Sequence, residues 1–199
     1  DWWWTGPRPQ DCPGWDAEAR CLRSLPMPPT RGFTRAQLID YFDNGWCLTE
    51  LLFASLQGSD AFFRQPYHRL RHPMVFYYAH PATLYVNKFR VAGLLDAGID
   101  AYCEAIFETG VDEMSWDDLS QAKEDWPALS EARRYRAAAY AAVRSVLETH
   151  PCLEDGVADE ESAAWAVFMG FEHERIHLET SSVLIREVRG GFFLLIFSG

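Results

Sequence analysis

The stretch DEESAAWAVFMGFEHERIHLETSSVLIRE, residues 159–187, decides the fold class of this chain. Apolar residues recur along it at the spacing of an amphipathic helix. The acidic residues at its start, Asp159, Glu160 and Glu161, suit the positive end of a helix dipole. The stretch therefore predicts one long helix over residues 159–187.

Two more helices are predicted upstream of this stretch. Thr34 and Gln37 have the spacing of a capping box, and the apolar residues that follow keep helical spacing up to Gly58. Another helix begins at Pro73 and ends near Gly93. Because Pro81 lies inside it, we expect this second helix to kink or break at His80.

A further helix, rich in alanine and arginine, is predicted over about residues 130–150. Four long helices, with no convincing strand and no internal repeat, predict an all-α fold built as a four-helix bundle over residues 33–189. Residues 1–32 hold six prolines, three glycines and four tryptophans, which predicts an irregular N-terminal arm. Residues 190–199 form a separate apolar tail, whose six consecutive apolar residues are far short of the roughly 20 that span a bilayer.

The composition excludes several classes of partner. A hydrophobic content of 48% indicates a folded globular protein, and a net charge of -11 argues against binding to nucleic acid or to an anionic membrane. The five cysteines are an odd number without a C-x-x-C pair, as is typical of a reducing compartment. No signal peptide is visible, so we expect a cytoplasmic protein.

Residues 173–177 read H-E-x-x-H, the pattern of zinc proteases. His173 and His177 are four residues apart, which places them on one face of a helix. They share that face with Met169, Ile176, Thr180 and Leu184. We expect this face to point into the bundle. The longer protease motif needs a glycine and a histidine where this chain has Thr180 and Val183, so we expect no proteolysis.

A third metal ligand is better found upstream, at His80 beside Pro81. One histidine from one helix and an i, i+4 pair from another commonly form a metal site in a helical bundle. Three histidines bind a divalent metal and leave positions open for water or substrate. His68 and His72 are also four residues apart, but His72 precedes Pro73, so we interpret this pair as structural or as outer partners of the metal ligands.

Five segments of the chain resemble a known family: WWWTG, YFDNGWCLTELLFASLQG, YHRLRHPMVFYYAHPATLYVNKFR, FETGVDEMSWDDLS and GFEHERIHLETSSVLIRE. They are similar to the N-terminal DinB-like domain of ovothiol-forming histidylcysteine sulfoxide synthases. The resemblance implies a DinB-like bundle with a non-haem iron(II) held by His80, His173 and His177. It also implies Glu179 as a second-sphere partner, in an H-x-x-x-H-x-E pattern, and O2 as a co-substrate with cysteine and histidine.

Members of this family continue into a C-terminal formylglycine-generating-enzyme-like domain that completes the substrate pocket. The 199 residues do not include it, and after Glu187 the resemblance ends. We therefore expect a truncated chain whose site is incomplete without that domain. Two alternatives stay open: a stand-alone DinB-like thiol transferase that uses a metal such as zinc, and a catalytically inactive metal-binding or interaction domain.

Overall fold

The computed structural model describes residues 3–66, 71–108 and 125–187. Two antiparallel strands of two residues each, β1 (Trp15–Asp16) and β2 (Cys21–Leu22), lie in the N-terminal arm. The helices of this described part are α1 (Arg35–Ala54), α2 (Asp60–Phe63), α3 (Met74–Val91), α4 (Ala101–Ile106), α5 (Leu129–Thr149) and α6 (Trp165–Glu187). His68 and the apolar tail at residues 190–199 lie outside the described residues.

The four long helices α1, α3, α5 and α6 form the bundle. Helix α3 packs against α5 and α6, and α1 packs against the same two helices. The predicted all-α bundle is therefore confirmed, and the short ribbon β1–β2 is the only sheet among the described residues. None of the described helices has the length and apolar character needed to cross a membrane.

Helix α1 begins as the sequence predicts. The Thr34 hydroxyl accepts a hydrogen bond from the Gln37 backbone N–H at 3.3 Å, and the Gln37 side chain accepts one from the Thr34 N–H at 2.8 Å. This reciprocal pair is the capping box, which satisfies donors that the first helical turn leaves free. The helix ends at Ala54 rather than near Gly58, and α2 begins at Asp60.

The structure corrects two further predictions about the helices, a break at His80 and a start of the last helix at residue 159. Helix α3 continues through Pro81 without a break, and in the turn before Pro81 the Tyr78 carbonyl accepts a hydrogen bond from Arg136 at 2.6 Å. Helix α6 begins at Trp165 rather than at residue 159. The Ser162 hydroxyl bonds to the backbone of Asp159 at 2.9 to 3.0 Å, which closes a turn before the helix. Serine competes for backbone groups in this way near helix starts.

The face of α6 that packs into the bundle also differs from the prediction. Of the residues expected in the core, Met169 and Ile176 are 43% and 56% exposed, and Thr180 is exposed as well. Leu184 is buried, as predicted. The residues that α6 buries are on the neighbouring face and include Val167, Phe171, Glu174, Ser181 and Ile185. Apolar residues recur at helical spacing on both faces, so periodicity alone does not choose between them. The buried face contains Glu174, and because glutamate is rarely buried, the sequence favours the other face.

The core contains a fully buried pair of opposite charges, and residues of the N-terminal arm form hydrogen bonds with it. Arg136 of α5 lies 3.7 Å from the Glu50 carboxylate of α1, with both side chains at 0% exposure. The guanidinium is sandwiched between the rings of Trp46 and Tyr78, at 4.1 and 4.5 Å from their centroids. From the arm, Thr5 donates its backbone N–H and its hydroxyl to the Glu50 carboxylate. The arm therefore completes the solvation of a buried carboxylate.

Replacing Arg136 with methionine is expected to leave Glu50 buried without its cation. We predict a loss of about 3 to 5 kcal/mol in the free energy of unfolding, measured by urea denaturation. The double variant Glu50→Gln/Arg136→Met should recover part of that loss, because no uncompensated charge remains. Arg134→Met, which removes an exposed cation of the same helix, is the control and should change stability by less than about 1 kcal/mol. Equal losses in Arg134→Met and Arg136→Met would contradict the prediction.

Candidate metal centre

Three histidines converge between α3 and α6. His80 projects from α3, His173 and His177 project from α6, and one ring nitrogen of each lies within 4.8 Å of the other two. The ring centroids are 4.3 to 4.8 Å apart. These are the three residues that the sequence analysis selected, and the structure brings them together. That they bind a metal ion stays a prediction.

The end of α4 fixes the orientation of the His80 ring. His80 Nδ1 lies 2.6 Å from the carbonyl oxygen of Phe107. A carbonyl can only accept, so Nδ1 carries the proton and donates it, and Nε2 keeps its lone pair. A second-sphere hydrogen bond of this kind is the usual support of a metal-bound histidine. His80 Nε2 is therefore ready to act as a donor to a metal.

The separation of two of the three ligand nitrogens fits a single metal ion, and all three nitrogens lie within 4.8 Å of one another. His80 Nε2 and His173 Nε2 are 3.1 Å apart. Two nitrogens that each lie about 2.1 Å from one ion are separated by about 3.0 to 3.4 Å when the angle at the metal is about 90 to 109°. Nδ1 of His173 and Nδ1 of His177 are buried and have no hydrogen-bond partner among the described residues. The donor set thus fits a divalent metal such as iron or zinc.

The surroundings keep all three imidazoles neutral. Burial, and secondarily the neighbouring histidines, lowers the pKa of His173 to about 2. Burial and His80 lower the pKa of His177 to about 3. Burial also lowers the pKa of His80, although the hydrogen bond to Phe107 opposes the shift. Only a neutral imidazole has the lone pair that a metal needs, so near pH 7 the site requires no deprotonation before it binds.

Glu174, the glutamate of the H-E-x-x-H pattern, is part of the core. Its side chain is 2% exposed. One carboxylate oxygen is 3.0 Å from the Thr49 hydroxyl of α1, and the other accepts a hydrogen bond from the Tyr85 hydroxyl of α3 at 3.1 Å. Burial raises the pKa of Glu174. A proteolytic general base has to reach a metal-bound water, whereas this carboxylate is engaged by two other helices.

Glu179 is exposed on α6, and its backbone carbonyl accepts a hydrogen bond from Ser182 at 2.7 Å. No contact between its carboxylate and the histidines is found among the described residues, so its second-sphere role stays a prediction. His72, in contrast, is buried, and its ring centroid lies 4.4 Å from that of Phe76, which stacks on His80. It belongs to the aromatic packing behind the site, as its structural interpretation suggests.

The sequence analysis missed two sets of contacts that position the histidines and their helix. The Phe107 carbonyl that orients His80 is a backbone group, and no residue type marks it in the sequence. The pairing of Glu174 with Thr49 and Tyr85 joins residues more than 85 positions apart. The glutamate itself was visible within the motif, but only as a feature of proteases. Gly170 in α6 and Gly45 in α1 were further signals, since glycine inside a helix marks a close approach.

The low histidine pKa values predict how the stability of the metal-free protein depends on pH. In the unfolded chain a histidine has a pKa near 6.5, so below that pH the unfolded state binds more protons than the folded state. Stability should therefore be complete above pH 6.5 and fall as the pH drops from there towards 3. His173 and His177 together should account for a loss of about 2 to 3 kcal/mol between pH 7.5 and 5.5.

Urea denaturation at several pH values tests this prediction. The double variant His173→Gln/His177→Gln carries no titratable ring at either position, and its stability should fall less steeply than that of the wild type. His150→Gln serves as the control, because His150 lies at the end of α5, outside the cluster. Parallel pH profiles for wild type and double variant would show that the two rings are not held neutral.

Comparison with known proteins adds one finding to this geometry. A family model, described as the DinB superfamily, matches residues 41–181. The matched region includes all of α3 and α5 and all three histidines. No curated protein matches the chain. Because the match covers well over half of the chain, the chain belongs to the DinB superfamily, a family with metal-binding helical bundles.

Proposed function

We propose that this domain is part of an iron(II)-dependent, O2-using sulfoxide synthase that joins the sulfur of cysteine to the imidazole of histidine. The observation that supports this most directly is the convergence of His80, His173 and His177 within 4.8 Å. The resemblance of five segments to the ovothiol-forming enzymes supplies the reaction class. Together they support a metal centre with three neutral donors and room for other ligands.

The proposed reaction balances without a further reductant. The thiol S–H bond and one imidazole C–H bond break, and a C–S bond and an S–O bond form. The two hydrogens leave with the second oxygen atom as water. All electrons that O2 accepts come from the two amino acids, so cysteine, histidine and O2 give one sulfoxide and one water. Bound iron(II) supplies the O2 chemistry that the side chains of the protein cannot provide.

The residues of this chain hold and orient the reacting groups. His80, His173 and His177 bind the metal, and the Phe107 carbonyl keeps the His80 ring in place.

An exposed apolar stripe lies beside the histidines on α6. Its members are Trp165, Met169, Ile176 and Val183, with exposed fractions from 38% to 56%. At 3.6 residues per turn, the four side chains fall within about 40° around the helix axis. Four exposed apolar side chains along one face of a helix suit a protein interface. This supports a partner domain, of the formylglycine-generating-enzyme-like type, that covers the open side of the metal centre and completes the pocket.

Membership of the DinB superfamily favours one alternative function. The family is wider than the sulfoxide synthases, and the same three histidines suit zinc as well as iron. Zinc in such a site lowers the pKa of a bound thiol, which is the chemistry of a metal-dependent thiol transferase. An inactive metal-binding or interaction domain is the third possibility. Metal analysis after anaerobic purification, followed by measurement of O2 consumption with cysteine and histidine, separates the three.

The metal site itself is tested by removing one ligand at a time. We predict that His80→Ala, His173→Ala and His177→Ala each lower iron(II) affinity by more than about a hundredfold, since loss of a second-sphere partner alone costs up to that factor. Affinity is measured anaerobically by competition with a chelator. His150→Ala is the matched control and should bind like the wild type. Unchanged affinity in His80→Ala would remove His80 from the site.

The activity prediction concerns the partner domain. Two amino acids must be oriented from more than one side of the metal, and a misplacement of one ångström can cost about a hundredfold in rate. The 199-residue chain alone should therefore form the sulfoxide at least a hundred times more slowly than a full-length ovothiol-forming relative. Both are assayed under O2 with matched iron loading. Comparable turnover would show that no partner domain is needed.

A further inference from the structure

Glu174 connects three helices of the bundle and lies in sequence between the two histidines of α6. Its carboxylate is in hydrogen-bonding contact with Thr49 of α1 and Tyr85 of α3, at 3.0 and 3.1 Å. Tyr85 is five residues beyond His80 on α3. The Tyr85 bond therefore joins the helix that carries two of the histidines to the helix that carries the third.

A second contact, one turn earlier on α6, acts on the same tyrosine. A Cβ atom added at Gly170 would overlap the Tyr85 ring, so the ring packs directly against the α6 backbone. The ring at Gly170 limits how far apart α3 and α6 lie, and the hydroxyl at Glu174 fixes where α6 stands along and around its axis. Two points of attachment on one rigid side chain leave α6 little freedom to rotate or slide.

Burying a carboxylate in a helix interface has a free-energy cost, because the charge loses its contact with water. Charged or polar groups in the core cost more than apolar residues of similar volume, and replacing them with apolar residues is often neutral or stabilising. A hydrogen bond is directional, so it allows only one arrangement of the helices, whereas an apolar contact allows several. A metal centre needs that, because donor distances must hold to within about 0.2 Å. A shift of α6 by one residue would move its histidines by about 1.5 Å and 100°.

We propose that Glu174 is a positioning residue for the metal centre: through Tyr85 and Thr49 it sets the rotation and register of α6, so that His173 and His177 meet His80. The inference rests on the metal site of the proposed function, but not on the reaction assigned to it. It gives the glutamate of the H-E-x-x-H pattern a role other than that of a general base, since this side chain acts on the histidines through the packing of helices.

Cobalt(II) binding tests the proposal, because affinity and the visible absorption spectrum of Co²⁺ both report on the donor geometry. Glu174→Leu removes both contacts, and Glu174→Gln keeps the shape and both hydrogen-bonding positions. We expect Glu174→Leu to lower Co²⁺ affinity at least about tenfold and to change the spectrum, with Glu174→Gln restoring both. Glu172→Leu, at an exposed position two residues away, is the control and should leave affinity and spectrum unchanged.

Thermal unfolding of the metal-free variants separates positioning from folding. Glu174→Leu leaves the Tyr85 hydroxyl buried without its partner, so it should melt below the wild type but remain folded at the temperature of the binding assay. If Glu174→Leu does not fold, two other variants replace it. Tyr85→Phe removes only a hydroxyl. The double variant Glu174→Leu/Tyr85→Phe removes the carboxylate together with the Tyr85 hydroxyl that donates to it. A folded variant of this set with wild-type affinity and spectrum overturns the inference alone. A wild-type chain that binds no Co²⁺ overturns the proposed function as well.

Discussion

The close approach of α3 and α6 is the constraint on which the site depends. Histidine side chains are short, and three of them can share one small volume only if the helices that carry them lie near each other. Gly170 makes this possible, because without a side chain there the Tyr85 ring fits against the α6 backbone. His80 and His173, one on each side of the contact, then bring their Nε2 atoms to 3.1 Å. A side chain at position 170 would act on the metal centre without touching it.

Polar groups in the core connect this pair of helices to the rest of the bundle. Arg136 is paired with Glu50. Burial raises the pKa of Glu174, and the positive charge of Arg136 partly offsets that rise. Two carboxylates and one guanidinium inside a helical bundle are costly unless each is hydrogen-bonded. Thr5 supplies those bonds to Glu50, and Thr49 and Tyr85 supply them to Glu174. Arg136 donates to the Tyr78 carbonyl, while its Nε and Nη2 atoms have no hydrogen-bond partner among the described residues. The metal centre thus lies beside a polar network that gives the helices one arrangement.

How far the sequence could predict this structure depends on the range of the interactions involved. The helices and the cap at Thr34 were predictable, because capping and periodicity act within a few residues. The three histidines were found through local spacing and residue chemistry. The buried face of α6 was not, because Glu174 belongs to the core only by virtue of partners on α1 and α3. The continuity of α3 through Pro81 and the Phe107 carbonyl likewise depend on tertiary packing, which no short pattern records.

The N-terminal arm forms hydrogen bonds with the bundle and is therefore part of the same domain. The region that the family model matches begins at Tyr41, and α1 begins at Arg35. Yet the Glu50 carboxylate, inside α1, is solvated by Thr5, and the Trp3 indole donates to the Glu50 carbonyl at 3.0 Å. The end of the arm also pairs with the segment before α6, where the Gly32 N–H donates to the Gly156 carbonyl at 2.7 Å. The region matched by the family model is therefore smaller than the unit that these hydrogen bonds join. An expression boundary drawn at the start of the matched region would remove a buried anion's hydrogen bonds and one edge of the fold together.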